Sequence, residues 1–171
     1  MTLPLSRMPR WALLLMLSAC APAVPTLAAL DPAPDAVCSL DGMVLADYPA
    51  SKGQIRYADG KTEYFCDVME LLGVALAPEQ KRAVAGMYVQ DMAQADWTHP
   101  AGHWIAVRSA FFVTGSGKAG SMGPTIVPFA SEAAARAFSA NNGGAVRTFA
   151  QLDGALPGQR GGGAPDDGMG H

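Results

Sequence analysis

Sulfur and imidazole side chains are the residues of this sequence best suited to binding chemistry. Thioether and thiolate donors select Cu(I) over harder metal ions, and imidazole also binds copper. The residue types therefore predict a site for a soft metal ion. Beyond residue 20 these side chains are Met43, Met69, Met87, Met92, Met122, Met169, Cys38, Cys66, His99, His103 and His171.

The methionines differ in how well packing explains them. Met122 lies in Gly-Ser-Met-Gly-Pro-Thr (120–125), where glycine and proline indicate a loop, whereas methionine normally fills gaps in a core. Met69 lies on a predicted helix and is expected in the core. Met43 and Met92 lie at the ends of predicted strands, where packing and metal ligation both remain open. Met122 is therefore the first candidate ligand.

Cys38, Cys66 and His103 each have two interpretations. In an oxidising compartment two cysteines most often form a disulfide, and thiolates are otherwise ligands of soft metals. His103 lies between Gly102 and Trp104, a position that suits a structural histidine as well as a ligand. These alternatives stay open from the residues alone.

Common catalytic signatures are absent from the sequence. It contains no Gly-x-Ser-x-Gly elbow, no Gly-rich phosphate loop ending in Lys-Ser/Thr and no His-Glu-x-x-His zinc motif. The formal net charge is −3 and no cluster of Lys or Arg stands out, which argues against nucleic acid as a partner. Binding is therefore favoured over catalysis.

The N-terminus resembles a bacterial lipoprotein signal. Arg7 and Arg10 precede an apolar run that is too short to span a bilayer, and Leu-Ser-Ala-Cys follows at residues 17–20. This resemblance implies removal of residues 1–19, a lipid on Cys20 and anchoring to a membrane. An ordinary secretory signal with a chance cysteine is the alternative. Without Arg7 and Arg10 the remaining ten basic and fifteen acidic residues give a net charge of −5.

Composition divides the rest of the chain into three parts. Residues 20–36 are rich in alanine and proline and predict a flexible, semi-extended tether between the lipid and the fold. Residues 153–171 are rich in glycine with few apolar side chains and predict a disordered tail. The folded domain is therefore expected over residues 37–152.

Local signals predict the elements of the first half of this domain. A strand is expected over Gly42–Tyr48, and Asp59-Gly60 between two β-prone segments predicts a hairpin. Asp67 is expected to cap a helix with Glu70 as its capping-box partner. Pro78 is expected to open a second short helix, and a strand follows.

The second half repeats the same order of elements. Two strands precede the Gly/Pro loop, a helix over residues 132–141 begins after Ser131, and a last strand follows Gly143-Gly144. Because hairpin, helix and strand occur twice, we predict an α+β fold. It consists of two small ββαβ-type units, over about residues 37–97 and 98–152, packed as one body.

Several segments, taken together and in order, resemble the NosL family, accessory lipoproteins of nitrous-oxide reductase maturation. The resemblance covers about residues 37–150. The segments that carry it are Cys38-Ser-Leu-Asp-Gly-Met-Val-Leu-Ala-Asp-Tyr-Pro, Phe65-Cys66-Asp67, Tyr88-Val-Gln-Asp-Met-Ala-Gln-Ala-Asp-Trp97, Gly102-His-Trp-Ile105, Gly120-Ser-Met-Gly-Pro-Thr and Pro128-Phe-Ala.

This resemblance implies a Cu(I) chaperone that is lipid-anchored on the periplasmic side of a bacterial membrane. It implies partners in the machinery that assembles the copper–sulfide centre of nitrous-oxide reductase, including an ABC-type transporter complex with a periplasmic component. The implied fold is a pair of ββαβ-type units related to an organomercurial lyase. That fold agrees with the order of elements predicted from the residues.

Copper binding in the family is implied to use methionine, histidine and cysteine. The positions that match the family motifs are Met122, His103, Met92, Cys66, Cys38 and Met43. Many relatives carry Cys-x-x-Cys-Gly-Met, and here Asp41 replaces the second cysteine, so a closed four-sulfur site cannot form. A disulfide, a two-thiolate copper site and a single free ligand remain open at this motif.

Two other functions remain as alternatives. One is an enzyme related to the organomercurial lyase fold that uses Cys38 and Cys66 with an acid. The other is a metal-free interaction lipoprotein with a Cys38–Cys66 disulfide. The scarcity of cysteines and the lipoprotein signal count against the enzyme.

Overall fold

The computed structural model describes residues 26–77 and 80–152. Its helices are α1 (Val68–Ala75) and α2 (Glu132–Asn142), and its 3₁₀ turns cover Leu45–Asp47, Val107–Ser109 and Phe149–Gln151. Its strands are β1 (Gly53–Tyr57), β2 (Thr62–Phe65), β3 (Val84–Gln90), β4 (Trp104–Ala106), β5 (Phe111–Thr114), β6 (Ala119–Gly120), β7 (Gly123–Pro124), β8 (Val127–Phe129) and β9 (Ala145–Thr148).

Two antiparallel sheets share one connection pattern. In the first sheet, of order β2-β1-β3-β4, α1 connects β2 to β3 and β1 lies between those two strands. In the second, of order β8-β5-β9, α2 connects β8 to β9 and β5 lies between them. The predicted α+β fold with two ββαβ-type units is therefore confirmed. The division at residues 97 and 98 stays a prediction, because β4 follows it yet pairs with β3 of the first sheet.

One hydrophobic cluster joins the two units into a single body. Leu71 of α1 packs in the same cluster as Phe112 of β5 and Leu152, and all three are fully buried. Gly53 lets α1 lie close to β1, since a Cβ at this residue would approach Leu71 Cδ1 to 2.6 Å. A second cluster around Phe129 packs against α2. The β6–β7 hairpin is inserted between β5 and β8.

Both helices begin at the predicted capping residues. The Asp67 carboxylate accepts a hydrogen bond from the Met69 N–H at 2.9 Å, and the Ser131 hydroxyl accepts one from the Ala134 N–H at 3.2 Å. Each cap satisfies an N–H group that the helix itself leaves unpaired. The start of α1 also positions Cys66, which directly precedes the capping residue Asp67.

The strand expected over Gly42–Tyr48 is wrong. Val44 makes a single isolated bridge with Val37, and Leu45–Asp47 is a 3₁₀ turn. Gly42 turns the chain with φ +77°, a conformation that a continuous strand does not contain. This segment is therefore a folded loop that brings Cys38 back towards the first sheet.

The second short helix expected from Pro78 is wrong over residues 80–82, and Pro78 itself lies outside the described residues. The Arg82 guanidinium instead lies over the Tyr57 ring, 3.3 Å from its centroid, and forms an ion pair with Asp59 at 3.5 Å. These contacts hold the segment in an irregular conformation against the β1–β2 hairpin.

Part of the expected tether is bound to the outer face of the first sheet. The side-chain amide of Gln54 accepts from the Leu30 N–H and donates to the Leu30 carbonyl, both at 2.9 Å. Arg56 donates to the Ala28 carbonyl at 2.6 Å. Gln54 and Arg56 are buried although they point away from α1, because this segment covers them. We refer to residues 27–31 as the N-terminal strap.

Two further side chains of the same sheet bind the strap. The Tyr88 hydroxyl donates to the Leu27 carbonyl at 2.6 Å, and Trp104 Nε1 donates to the Asp31 carboxylate at 2.7 Å. A free tether over residues 20–36 is therefore wrong for the strap. The physical reason is that the sheet supplies polar partners for backbone groups that the alanines and prolines leave unpaired.

The remaining predictions about the termini fall outside the described part of the chain. Residues 1–19, Cys20 and the tail over 153–171 all lie there. Across residues 26–77 and 80–152, no helix has both the length and the apolar composition that a membrane span requires.

Candidate metal site

Two cysteines and two carboxylates form a cluster beside the start of α1. One ligand atom from each of Cys38, Asp41, Cys66 and Glu70 lies within 4.8 Å of every other. It is the one such group of metal-binding side chains in the described ranges 26–77 and 80–152. Both cysteines are free thiols. We refer to these four residues as the metal cluster.

The elements of the first unit place these side chains together. Cys66 directly follows β2, and Glu70 lies four residues later in the first turn of α1. Cys38 approaches from the folded loop, whose Cys38 N–H donates to the Met43 carbonyl at 2.8 Å. Inside that loop the Asp41 carboxylate accepts from the Met43 N–H at 2.9 Å.

A single carboxylate oxygen connects the two thiols. Glu70 Oε2 accepts from Cys38 Sγ and from Cys66 Sγ, each at 3.2 Å. Burial, with the nearby Glu70 carboxylate, raises the pKa of both thiols. The thiols therefore carry their protons at neutral pH, and a metal ion must displace those protons to gain thiolate ligands.

The second carboxylate is charged and points at Cys66. The Met43 N–H holds the pKa of Asp41 below its ordinary value, and Asp41 Oδ2 lies 3.9 Å from Cys66 Sγ. Asp41 is exposed and lies three residues after Cys38. It therefore places an anionic oxygen beside the two thiols.

A buried lysine lies behind the metal cluster. Lys52 is 3% exposed, and its ammonium donates to the Cys66 carbonyl at 3.3 Å. Three further acceptors belong to the segment before β1. They are the carbonyls of Tyr48, Pro49 and Ala50, at 2.8, 2.9 and 3.2 Å. Burial lowers the pKa of Lys52 to about 8, and these carbonyls supply the polar contacts that a buried ammonium requires.

The β6–β7 hairpin lies against the same place from the second unit. Ser121 Oγ is 3.2 Å from Cys66 Sγ and donates to the Cys66 carbonyl at 3.3 Å. Met122, the next residue, is 66% exposed and lines a cavity of about 620 Å³ with Met69 and Glu70. The hairpin tip therefore carries a thioether to the edge of the metal cluster.

The hairpin is fastened to the helix start by a buried carboxylate. Thr125 Oγ1 donates to Asp67 Oδ1 at 2.9 Å, and a Cβ at Gly120 would lie 2.2 Å from Asp67 Oδ2. Only glycine therefore permits this approach of β6 to Asp67. Asp67 is 2% exposed, and burial raises its pKa.

The structure brings four of the predicted ligands together and leaves two apart. Met43 packs against Cys38 and Cys66 in one hydrophobic cluster, and Met122 lies at the hairpin tip. Met92 packs against the second hydrophobic cluster instead. His103 is exposed at the start of β4, three strand spacings from β2, or about 14 Å. Roles for Met92 and His103 at the same ion remain a prediction without support from this geometry.

Sequence reasoning missed Glu70 and Ser121 as members of this site. The sequence predicts Glu70 as the capping-box partner of Asp67, whereas the Glu70 carboxylate accepts from the two thiols. Its position four residues after Cys66 was the signal available in the sequence, since one turn separates such residues. Nothing local relates Ser121 to Cys66, because their contact depends on how the two units pack.

Comparisons with known proteins agree on one family. The NosL family model matches residues 29–156. The copper-binding lipoprotein NosL of Stutzerimonas stutzeri is 38% identical over 120 residues, which span 70% of this chain and 63% of that protein. The copper-binding lipoprotein NosL of Achromobacter cycloclastes is 36% identical over 152 residues, which span 85% and 78% of the two chains.

A solved structure matches the fold as well. The crystal structure of the copper chaperone NosL from Shewanella denitrificans aligns with a TM-score of 0.68 at 33% sequence identity. The alignment covers 74% of this chain and 96% of that one. Sequence and fold therefore lead to the same family.

Proposed function

The chain belongs to the NosL family, and on that basis we propose that it is a membrane-anchored copper chaperone. It binds Cu(I) on the periplasmic side of a bacterial membrane. It delivers the ion to the machinery that assembles the copper–sulfide centre of nitrous-oxide reductase. The names of its relatives, copper-binding lipoprotein and copper chaperone, support the copper and lipoprotein parts of this proposal.

The observation that carries the proposal is the pair of buried thiols beside two methionines. Cys38 and Cys66 share Glu70 Oε2 as acceptor, Met43 packs on them, and Met122 lies at the adjacent hairpin tip. Sulfur donors of both kinds favour Cu(I) over harder ions. Cu(I) is the cargo of this site, and the thiols release their protons as it binds.

The same arrangement suits release of the ion. Met122 is largely exposed, so one side of the metal cluster is open to a partner. A thioether is neutral and binds copper without losing a proton, whereas each thiolate exchanges a proton for the metal. A partner that supplies further sulfur ligands at the Met122 side therefore takes the ion while protons return to the thiols.

The membrane and partner parts of the proposal rest on the sequence. Cys20 in Leu-Ser-Ala-Cys is the proposed lipid attachment residue, and it places the domain at a membrane surface. The proposed recipient is an ABC-type transporter complex with a periplasmic component. Its contact surface is proposed to include the open side at Met122.

An anaerobic Cu(I) titration of the reduced protein tests the copper site. A chromophoric chelator competes for the ion, and X-ray absorption of the loaded protein reports its sulfur and oxygen or nitrogen neighbours. We expect Cys38→Ser and Cys66→Ser each to remove a sulfur neighbour and weaken binding. Met87→Ala is the matched control and is expected to leave both readouts unchanged, because Met87 packs against the main hydrophobic cluster and not against the thiols.

Two outcomes would contradict the proposal. The first is wild-type affinity in both cysteine variants. The second is a purified protein whose Cys38 and Cys66 are oxidised and which binds no copper after mild reduction, as the metal-free interaction lipoprotein requires.

A further inference from the structure

We propose that the N-terminal strap orients the domain on the membrane, with one end of the first sheet facing anionic phospholipid headgroups and the metal cluster facing away. The facing end consists of the β1–β2 turn, the start of β3 and the turn after β4, and we refer to it as the turn end. This inference rests on the lipid anchor of the proposed function and adds an orientation to it.

The strap begins at the turn end and runs towards the metal cluster. The Leu27 N–H donates to the carbonyl of Ala85, near the start of β3. Three residues later Leu30 pairs with Gln54 of β1. After the strap, the Ala36 carbonyl accepts from the Leu45 N–H, and the chain reaches Cys38. The segment thus follows the strands from one end of the sheet to the other.

The metal cluster lies at the opposite end of the same sheet. Gly53 of β1 pairs with Phe65 and Val89, and Cys66 follows Phe65 directly. Cys66 is therefore level with the end of β3, five residues beyond Ala85. Five residues of strand span about 17 Å. That distance separates the start of the strap from the metal cluster along the strands.

The bound strap shortens the connection to the lipid. Six residues lie between Cys20 and Leu27, so the fully extended chain spans at most about 25 Å between them. If the first held residue were Val37, the same estimate would be about 60 Å. The strap therefore keeps the turn end close to the anchoring surface and restricts how far the domain can turn over.

Charge at the two ends favours the same orientation. The turn end carries the exposed cations Lys61, Lys81, Arg82 and Arg108. Asp59 and Glu63 accompany them there as ion-pair partners of Arg82. The metal cluster carries Asp41 and Glu70, and the Lys52 ammonium behind it is buried whereas Asp41 is exposed. An anionic lipid surface attracts the first end and repels the second within a Debye length of about 8–10 Å. Headgroup phosphates are therefore the occupants that the turn end suits.

The strap covers two polar side chains of β1. Gln54 is fully buried, and both ends of its amide pair with Leu30. Release of the strap would expose that amide and the Arg56 guanidinium to water, which would replace their partners at a small net cost for each hydrogen bond. Five side-chain hydrogen bonds hold the strap to the sheet, and together they make the bound strap the resting state of the domain.

Photo-crosslinking of the full lipidated chain in phosphatidylglycerol-containing vesicles tests the orientation. In one variant a p-benzoylphenylalanine probe replaces Ala83 at the turn end. In the other it replaces Leu40, which lies beside the metal cluster and is 58% exposed. We expect lipid crosslinks from the Ala83 probe to exceed those from the Leu40 probe at least fivefold. Equal yields, or more crosslinks from Leu40, would overturn the proposal.

A longer connection provides the second arm. Twelve Gly/Ser residues inserted after Ala23 leave every strap contact in place, and they are expected to reduce the fivefold preference towards equality. Replacement of phosphatidylglycerol by phosphatidylcholine is expected to lower the Ala83 yield. An unchanged preference in the extended chain or an unchanged Ala83 yield without anionic lipid would overturn the proposal.

Two separate measurements distinguish this inference from the proposed function. Mass spectrometry of the mature chain reports the lipid on Cys20, and the Cu(I) titration reports the metal site. A lipidated, copper-binding protein with equal crosslinking at both ends would disprove the orientation alone. A protein without lipid would instead disprove the anchor.

Discussion

Replacement of Met122 by alanine is expected to weaken Cu(I) binding without weakening the fold. The side chain is 66% exposed, so its loss leaves no buried cavity, and the free energy of unfolding should change by less than about 0.5 kcal/mol. Loss of a group that merely supports a metal ligand lowers affinity by about 10- to 100-fold. Loss of a direct ligand should therefore weaken Cu(I) binding at least about tenfold, or about 1.4 kcal/mol.

Met92→Ala is expected to show the opposite pattern, and it tests whether this predicted ligand contacts the ion at all. The Met92 side chain packs against the second hydrophobic cluster. Truncation of a buried methionine to alanine lowers the free energy of unfolding by about 2–5 kcal/mol. A value near the lower limit is expected, because Met92 is only partly buried. Cu(I) affinity should be unchanged, since this cluster is separate from the metal cluster.

Two assays on the same three proteins decide between these expectations. Urea unfolding of the apo-proteins gives the free energies of unfolding, and anaerobic competition with a chromophoric chelator gives the Cu(I) affinities. Wild-type affinity in Met122→Ala would refute the ligand role of the hairpin tip. A larger affinity loss in Met92→Ala would refute the placement of the site.

Two further predictions concern pH and packing. Burial raises the pKa of the Cys38 and Cys66 thiols, so protons compete with Cu(I) for both sulfur atoms. Cu(I) affinity should therefore fall as the pH falls, by up to about 100-fold per pH unit when two protons are displaced. A flat profile from pH 6 to 8 in chelator competition would contradict this. Gly73 on α1 is exposed with free space around it, so Gly73→Ala should raise the free energy of unfolding by about 0.5–1 kcal/mol. Gly53→Ala should lower the free energy of unfolding, because the new Cβ would lie 2.6 Å from Leu71 Cδ1. Urea unfolding in which Gly53→Ala is the more stable of the two variants would contradict the packing of α1 on β1.

Local signals in the sequence were sufficient for much of the fold. Asp59-Gly60 marked the β1–β2 hairpin, and Asp67 and Ser131 marked the two helix starts, since each signal acts within a few residues. The strap was missed because alanine and proline show no periodicity. Its partners, such as Gln54, are more than twenty residues away in the chain.

The site was predictable to the extent that family motifs mark it. Cys38, Cys66 and Met43 were selected by those motifs, and the structure brings them together. For their acceptor Glu70 the sequence predicts helix capping, because a sequence does not tell whether a carboxylate turns back to the helix or out to a thiol. Contacts that depend on the packing of two units, such as Ser121 with Cys66, have no local signal at all.

The buried lysine has a mechanical consequence. The Lys52 ammonium ties three carbonyls of one segment to the Cys66 carbonyl of another, so the backbone beneath this thiol is stiff. The hairpin tip on the other side is supported by two strands of only two residues each. Asp67 holds the base of the hairpin through Thr125, whereas its tip is held to the metal cluster by the hydrogen bond from Ser121 to the Cys66 carbonyl. We therefore expect copper to enter and leave by displacement of this tip, with that hydrogen bond broken, and not by displacement of the cysteines.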